Sequence, residues 1–220
     1  MDSAVFLELL QRHRAIAVIR TDELNQGLHL AQAAAAGGLR LIEITWNSRY
    51  PSQLITQLRE QLPHCHIGAG TMLAISDLEQ AIAAGAEFCF APYTHLPMVQ
   101  WAREHHLPLV PGALTPSEIV TAWQAGACAV KVFPISAVGG ASYIRSLQGP
   151  LGAIPLVPTG GVTLANAPAL LQAGATAVGL STGLFANTAI AQADWDSITH
   201  TCQQLVEVCQ AITPLSPPVL

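Results

Sequence analysis

The chain has 220 residues, of which 51% are hydrophobic and only 10% charged, well under the roughly 25% charge of an average soluble protein. The net charge is −5 and the arginines stand singly, which argues against nucleic acid as a main partner. A mean hydropathy of +0.41 argues against disorder, and the lack of any run of 18 uninterrupted apolar residues argues against a membrane-spanning helix.

Residues 1–212 read as one domain, long enough to bury about 70% of its unfolded surface without metal or disulfide staples. The tail, Thr213-Pro-Leu-Ser-Pro-Pro-Val-Leu220, reads as an extended end. Met1–Glu8 carries two acids and no basic residue, so a secretory signal is not expected. Five cysteines without a C-x-x-C spacing suggest reduced thiols in a cytoplasmic protein.

In chain order, a helix near Asp2–His13 comes first. Eight short apolar runs follow: Ala15–Arg20, Leu39–Thr45, Cys65–Gly70, Phe88–Pro92, Leu107–Val110, Ala127–Phe133, Ile154–Pro158 and Thr176–Leu180. Their length and low polarity suit parallel strands covered on both faces. Between them lie amphipathic stretches such as Glu23–Ala36, Ser76–Ala84, Pro116–Ala125 and Leu164–Ala173, and a last helix runs near Trp195–Ile212. Ser76 with Glu79, and Thr115-Pro116 with Glu118, fit helix-start patterns. Ala-Gly followed by Gly or Ala recurs at Ala36, Ala84, Ala125 and Ala173, each ending a helical stretch where glycine suits a left-handed cap. Eight units with this two-unit period predict an α/β fold, a single-domain (β/α)8 TIM barrel with an extra N-terminal helix. A doubly wound open sheet uses the same local grammar.

In such a barrel the reactive groups stand at the carboxyl ends of the strands. Those ends carry Arg20, Glu43 with Thr45, Gly70-Thr71, Pro92, Pro111-Gly112, Lys131 with Phe133, Thr159-Gly160-Gly161 and Ser181-Thr182. Lys131 is the one lysine of the chain and lies in an apolar run. Alternation along a strand puts Leu41, Glu43 and Thr45 inside with Ala129, Lys131 and Phe133. It turns Ile42, Ile44, Cys128, Val130 and Val132 toward the helices. A buried ammonium is costly and tends to shed its proton, and a neutral amine adds to carbonyls to give a Schiff base. A glutamate in an apolar pocket can move the protons that this chemistry needs. The same two residues also fit a lysine reaching the rim or a plain buried ion pair.

Thr159-Gly160-Gly161 and Ser181-Thr182-Gly183 end the seventh and eighth runs, whose loops commonly hold phosphate in barrels. Glycines let amides approach an anion, although Gly-Gly also makes an ordinary tight turn. His64-Cys65-His66 lacks a third metal ligand in register and reads as a strand start. His105-His106 reads as a helix end, Cys202 and Cys209 as packed, and Trp123 and Trp195 as filling the helix layer.

Taken in order, Gly37-Gly-Leu-Arg-Leu-Ile-Glu43-Ile-Thr45, Ile67-Gly-Ala-Gly-Thr71, Leu109-Val-Pro-Gly112, Val130-Lys131-Val-Phe-Pro134 and Pro158-Thr-Gly-Gly-Val162 resemble the successive signatures of the 2-keto-3-deoxy-6-phosphogluconate (KDPG) aldolase and 4-hydroxy-2-oxoglutarate aldolase family. The resemblance runs from about Arg14 to Phe185. It implies a class I lyase with no metal or other cofactor, commonly a homotrimer, acting on a small keto-acid. The implied reaction is reversible cleavage of KDPG to pyruvate and glyceraldehyde 3-phosphate. Some members also cleave 4-hydroxy-2-oxoglutarate or decarboxylate oxaloacetate.

By that match Lys131 forms the Schiff base and Glu43 is the general acid and base. Thr71 lies near the pyruvate carboxylate, Arg20 matches an arginine of part of the family, and Pro92, Phe133 and Thr159 line the substrate. Gly160, Gly161, Ser181 and Thr182 hold the phosphate. Three departures bear on the aldehyde half. Asn47 stands where many members have a substrate-binding arginine, leaving Arg49 or Arg20 for that part. Ile135-Ser136 replaces Ala-Glu, and Ser181-Thr182 replaces Gly-Ser. A Schiff-base oxaloacetate decarboxylase, an aldolase for a related keto-acid, and a non-catalytic phosphometabolite-binding barrel are the alternatives.

Overall fold

A computed structural model describes residues 1–212; the tail expected over residues 213–220 lies outside them. Helix α1 (Ser3–His13) precedes strands and helices in near-regular alternation: β1 (Ala15–Ile19), α2 (Leu24–Ala36), β2 (Leu41–Thr45), α3 (Pro51–Gln61), β3 (His66–Gly70), α4 (Ile75–Ala83), β4 (Cys89–Phe90), α5 (Leu96–Glu104), β5 (Leu109–Val110), β6 (Gly112–Ala113), α6 (Pro116–Gln124), β7 (Val130–Val132), α7 (Ala141–Leu151), β8 (Leu156–Pro158), α8 (Ala167–Gln172), β9 (Val178–Leu180), α9 (Asn187–Ala191) and α10 (Trp195–Ala211). Every apolar run of the sequence contains a strand. The fifth contributes β5, and β6 follows directly, because Pro111 between them has no N–H to offer a ladder.

All strand pairs are parallel. One sheet has the order β5-β4-β3-β2-β1-β9 and the other β6-β7-β8. An isolated bridge joins Thr159, just after β8, to Gly179 of β9, and the Thr176 amide donates to the Leu156 carbonyl at 2.9 Å. Strand parity divides the core as the sequence predicts. Ile42, Ile44, Val130 and Val132 pack against the helices. Ile16, Leu41, Phe88, Phe90, Val110, Ala129, Val157 and Ala177, drawn from both sheets and their flanks, form a second cluster. Cys128 is a correction: it packs against this inner cluster rather than the helix layer. Phe6 and Leu10 of α1 complete the inner cluster. The Phe6 ring stacks on Phe88 with centroids 4.6 Å apart, so α1 caps the amino ends of the strands.

Thr115 and Glu118 form the expected box: Glu118 Oε2 accepts the amides of Leu114 and Thr115 at 2.8 Å, and Thr115 Oγ1 accepts that of Glu118. Ser76 does not cap α4. Asp77 does, its carboxylate accepting the amides of Leu73 and Ala74, because a carboxylate is a stronger acceptor for exposed amides than a hydroxyl. Helix α8 starts at Ala167, three residues later than predicted. Pro168, which has no N–H, falls in its first turn, where that loss is harmless. Of the repeated Ala-Gly sites, Gly85, Gly126 and Gly174 have the expected positive φ, whereas in the first repeat it is Gly38 and not Gly37. Trp123 is a further correction, being 37% exposed. Trp195 is half-buried and stacks on His29.

Candidate active site

The carboxyl ends of the strands surround a cavity of about 620 Å³. Arg20, Glu43, Thr71, Pro92, Lys131, Phe133, Thr159, Gly160, Gly161, Ser181 and Thr182 all line it. Asn47 and Arg49 do not. Both are exposed, and the Arg49 guanidinium lies 5.3 Å over the Tyr50 ring. Sequence reasoning missed Asn187 and Ile190 of α9 and Phe185 before it, which also line the cavity. A five-residue helix outside the strand–helix alternation leaves little periodic signal to find.

Lys131 is 5% exposed. Its Nζ lies 5.0 Å from the centroid of Phe133 and 5.9 Å from that of Phe90, so the amine does not reach the rim. Phe90 forms the floor below it and belongs to an aromatic trio with Phe6 and Phe88. Among the described residues the ion pairs within 4 Å are Arg59–Glu87 and His66–Glu87. Lys131 and Glu43 are in neither, which removes the plain ion-pair reading of these two residues.

Glu43 is 2% exposed, and its Oε1 is buried without a hydrogen-bond partner among the described residues. Burial pushes its carboxyl above the ordinary carboxylate range, while the positive charges of Lys131 and Arg20 pull part of the way back. The result is a carboxyl able to hold and release a proton nearer neutrality. Strand registers place it, with Glu43 opposite Val18 of β1 and Gly68 of β3. Next to it, the Thr45 hydroxyl bonds Ser48 Oγ, which also accepts the Thr21 amide, tying the loops after β1 and β2 together.

Thr71 has φ +63°. A β-branched residue in the left-handed region costs of order 1–3 kcal/mol, a strain that accumulates at functional sites. On the far side, Gly160 and Gly161 have φ +87° and +80°. A Cβ on Gly160 would lie 3.0 Å from the Phe133 ring, and one on Gly161 would lie 2.5 Å from Ser136. The loop after β7 is held to this turn by the Ile135 and Ser136 amides, which donate to the carbonyls of Thr159 and Gly160. The amides of Gly160, Gly161 and Thr182 find no protein acceptor among the described residues. Unpaired amides in glycine-rich loops suit an anion. At the start of β3, His66 Nδ1 is 3.2 Å from Glu87 Oε2 and His64 is exposed.

The profile of the KDPG and KHG aldolases matches residues 7–201. A 2-dehydro-3-deoxy-phosphogluconate aldolase of Pseudomonas aeruginosa is 33% identical over 200 residues, 90% of either chain. Among solved structures, the KDPG aldolase of Legionella pneumophila, with pyruvate captured as a covalent carbinolamine, is 28% identical. It superposes with a TM-score of 0.84 over 90% of this chain and 97% of that one. The KDPG aldolase of Zymomonas mobilis with 3-phosphoglycerate is 26% identical, with a TM-score of 0.83 over 91% and 94%. The chain belongs to the KDPG and KHG aldolase family.

Proposed function

We propose that this chain is a class I aldolase that reversibly cleaves KDPG to pyruvate and glyceraldehyde 3-phosphate, using Lys131 and Glu43. The observation that carries the reading is a buried amine that, among the described residues, has no ion-pair partner and shares one cavity with a buried carboxyl whose Oε1 is unpaired among the same residues. The Lys131 amine adds to the C2 carbonyl to give a carbinolamine, which takes up a proton and loses water to become a protonated imine. The C3–C4 bond then breaks, and its electron pair moves toward the imine nitrogen to leave an enamine. Glu43 takes the proton of the C4 hydroxyl as the aldehyde forms, and returns it to C3 of the enamine. Water then adds to the protonated imine, releasing pyruvate, the free amine and the proton taken up when the imine formed.

Thr71 and Arg20 bind the keto-acid carboxylate in this reading, and Pro92, Phe133 and Thr159 wall the chain of the substrate. Gly160, Gly161, Ser181 and Thr182 bind the phosphate, a role supported by the unpaired amides of that loop pair. KHG, which lacks the phosphate, is the second substrate that the family description supports.

The two sheets are then arcs of one (β/α)8 barrel over residues 1–212, continuous across Pro111 and joined at Thr159 and Gly179. The inner cluster, built by strands of both sheets, supports this closure. A homotrimer in the cytoplasm completes the reading, and sedimentation equilibrium tests the trimer.

Borohydride reduction in the presence of pyruvate, with peptide mass mapping, tests the chemistry. The expected product is a label on Lys131. Only the α-amino group competes, since the chain has no other lysine. Folded protein without label at Lys131 would overturn the mechanism.

A further inference from the structure

Gly70 ends β3 directly beneath the unpaired Glu43 oxygen. A Cβ built on Gly70 would stand 1.6 Å from Glu43 Oε1, 2.3 Å from its Cδ and 2.7 Å from its Cγ. None of these separations is possible for real atoms. The backbone itself does not require glycine here, because Gly70 is absent from the residues with positive φ. Its place in the ladder is ordinary too: it pairs with Thr45, and its carbonyl accepts the Trp46 amide at 2.6 Å. Other crowded glycines differ. A Cβ on Gly112 would strike the backbone of Pro92 at 2.3 Å, and one on Gly68 the Phe88 ring at 2.3 Å. At those positions a side chain would disturb the frame or the core. At Gly70 the three nearest atoms all belong to the Glu43 side chain, from Cγ to the carboxyl oxygen.

We infer that Gly70 is a positioning residue, whose missing side chain sets where the Glu43 carboxyl stands in the cavity. This rests on the reading of Glu43 as the proton carrier. A methyl at position 70 is cheap for the fold, because a flexible carboxylate can swing aside. It is expensive for proton transfer, because the carboxyl then leaves the reach of substrate C3, and a hydrogen bond of about 3 Å tolerates little displacement. The lysine is untouched, so imine formation and proton transfer come apart.

The test uses the full chain with pyruvate as the probe. In deuterium oxide, Glu43 removes a methyl proton from the Lys131 imine, giving the enamine, and a deuteron is returned to the same carbon. NMR follows this exchange, and borohydride trapping follows the imine separately. Gly70→Ala is expected to trap within about twofold of the unmodified chain and to lose exchange by about 10²-fold. Glu43→Ala removes Oε1, Cδ and Cγ, the three atoms that the new methyl would meet first. In that background Gly70→Ala should cost no more than about twofold, giving a strongly non-additive cycle. A purely structural role for Gly70 predicts equal losses in both backgrounds.

Exchange at the unmodified rate in Gly70→Ala, or an equal loss in both backgrounds, overturns the inference. If Gly70→Ala does not fold, folding of the double variant upholds it, and failure of both overturns it. Loss of the underlying reading shows separately, as unmodified exchange in Glu43→Gln.

Discussion

At their amino ends the strands close over packed rings and aliphatic chains: Phe6 and Leu10 of α1 fill the space among Phe88, Phe90, Leu41 and Ala129. At their carboxyl ends the same strands surround a cavity of about 620 Å³ lined by a lysine, a glutamate, an arginine, threonines and glycines. Parity is shared, so Leu41 and Glu43 are on one face of β2, as are Ala129 and Lys131 on β7 and its flank. What changes along each strand is the polarity of the inward residue. The aromatic end supplies the burial that folds the chain. The polar end keeps groups that burial disfavours, among them an unpaired carboxyl oxygen and a strained threonine. The two ends of the strands divide the labour. Substitutions at the closed end should act on stability, and substitutions at the open end on turnover.

The largest effect should come from Lys131→Met. Removal of the nucleophile is expected to lower turnover by at least about 10⁴-fold and to abolish borohydride trapping. Calorimetry should show a Tm no lower than that of the unmodified chain, because a buried polar group leaves the interior and an apolar chain of similar length takes its place. A large drop in Tm would break the division at its open end. Phe6→Ala tests the closed end. The ring is fully buried and stacked on Phe88, so its loss should cost about 3–5 kcal/mol in urea unfolding. The kcat of the folded fraction should stay within about twofold. A tenfold fall in kcat would mean that the aromatic column under Phe90 tunes the site as well as supporting it.

The sequence exposes this division unevenly, for physical reasons. The strands, their parity and the carboxyl-end residues were legible because period-2 burial writes itself into residue type: Glu43 between Ile42 and Ile44, Lys131 between Val130 and Val132. The Thr115 box was legible because its partners are three residues apart. Asp77 was not recognised as the cap of α4, since the two amides it accepts lie at Leu73 and Ala74, ahead of the helix. Asn187 was missed because its position depends on how α9 folds back over the cavity, a tertiary fact. The family resemblance puts Asn47 and Arg49 at the substrate, because Asn47 stands where many members have a substrate-binding arginine and Arg49 is a substitute for it. The turn after β2 instead carries both outward, with the Arg49 amide held by the Thr21 carbonyl. The unpaired state of Glu43 was also invisible, since a strand pattern shows which residues face each other and not how far apart their ends stand.

Glu43→Gln is expected to lower turnover by about 10²-fold while the imine still forms. It also carries a stability signature. Burial raises the native carboxyl pKa, so over a range of pH the folded chain keeps a proton that the unfolded chain has lost. Stability therefore falls as pH rises from the ordinary carboxyl value through the raised native one. Glutamine does not titrate and escapes this loss. Thermal melts across pH should show Glu43→Gln gaining on the unmodified chain as pH rises, with the smallest gain in acid. A gap that closes with rising pH would show that the native carboxyl is held ionised by Lys131 and Arg20.

The smallest effect separates the three candidates for the carboxylate grip. Arg20 lines the cavity and acts on Glu43 through its charge, whereas Asn47 and Arg49 face away from it. Arg20→Ala should raise KM for the keto-acid about tenfold, about 1.4 kcal/mol of binding, the scale of one charge-assisted hydrogen bond net of solvation. Arg49→Ala and Asn47→Ala should stay within about twofold. Arg20→Ala has a second consequence that a purely steric role would not produce. The Arg20 charge pulls the Glu43 carboxyl down, so its removal lets burial push that carboxyl further up. The limb of the pH–rate profile that reports Glu43 should move to higher pH in Arg20→Ala and stay in place in Arg49→Ala. A shift with Arg49→Ala instead would mean that the loop after β2 turns inward when substrate binds, bringing the open end of β2 into the site that its sequence position first suggested.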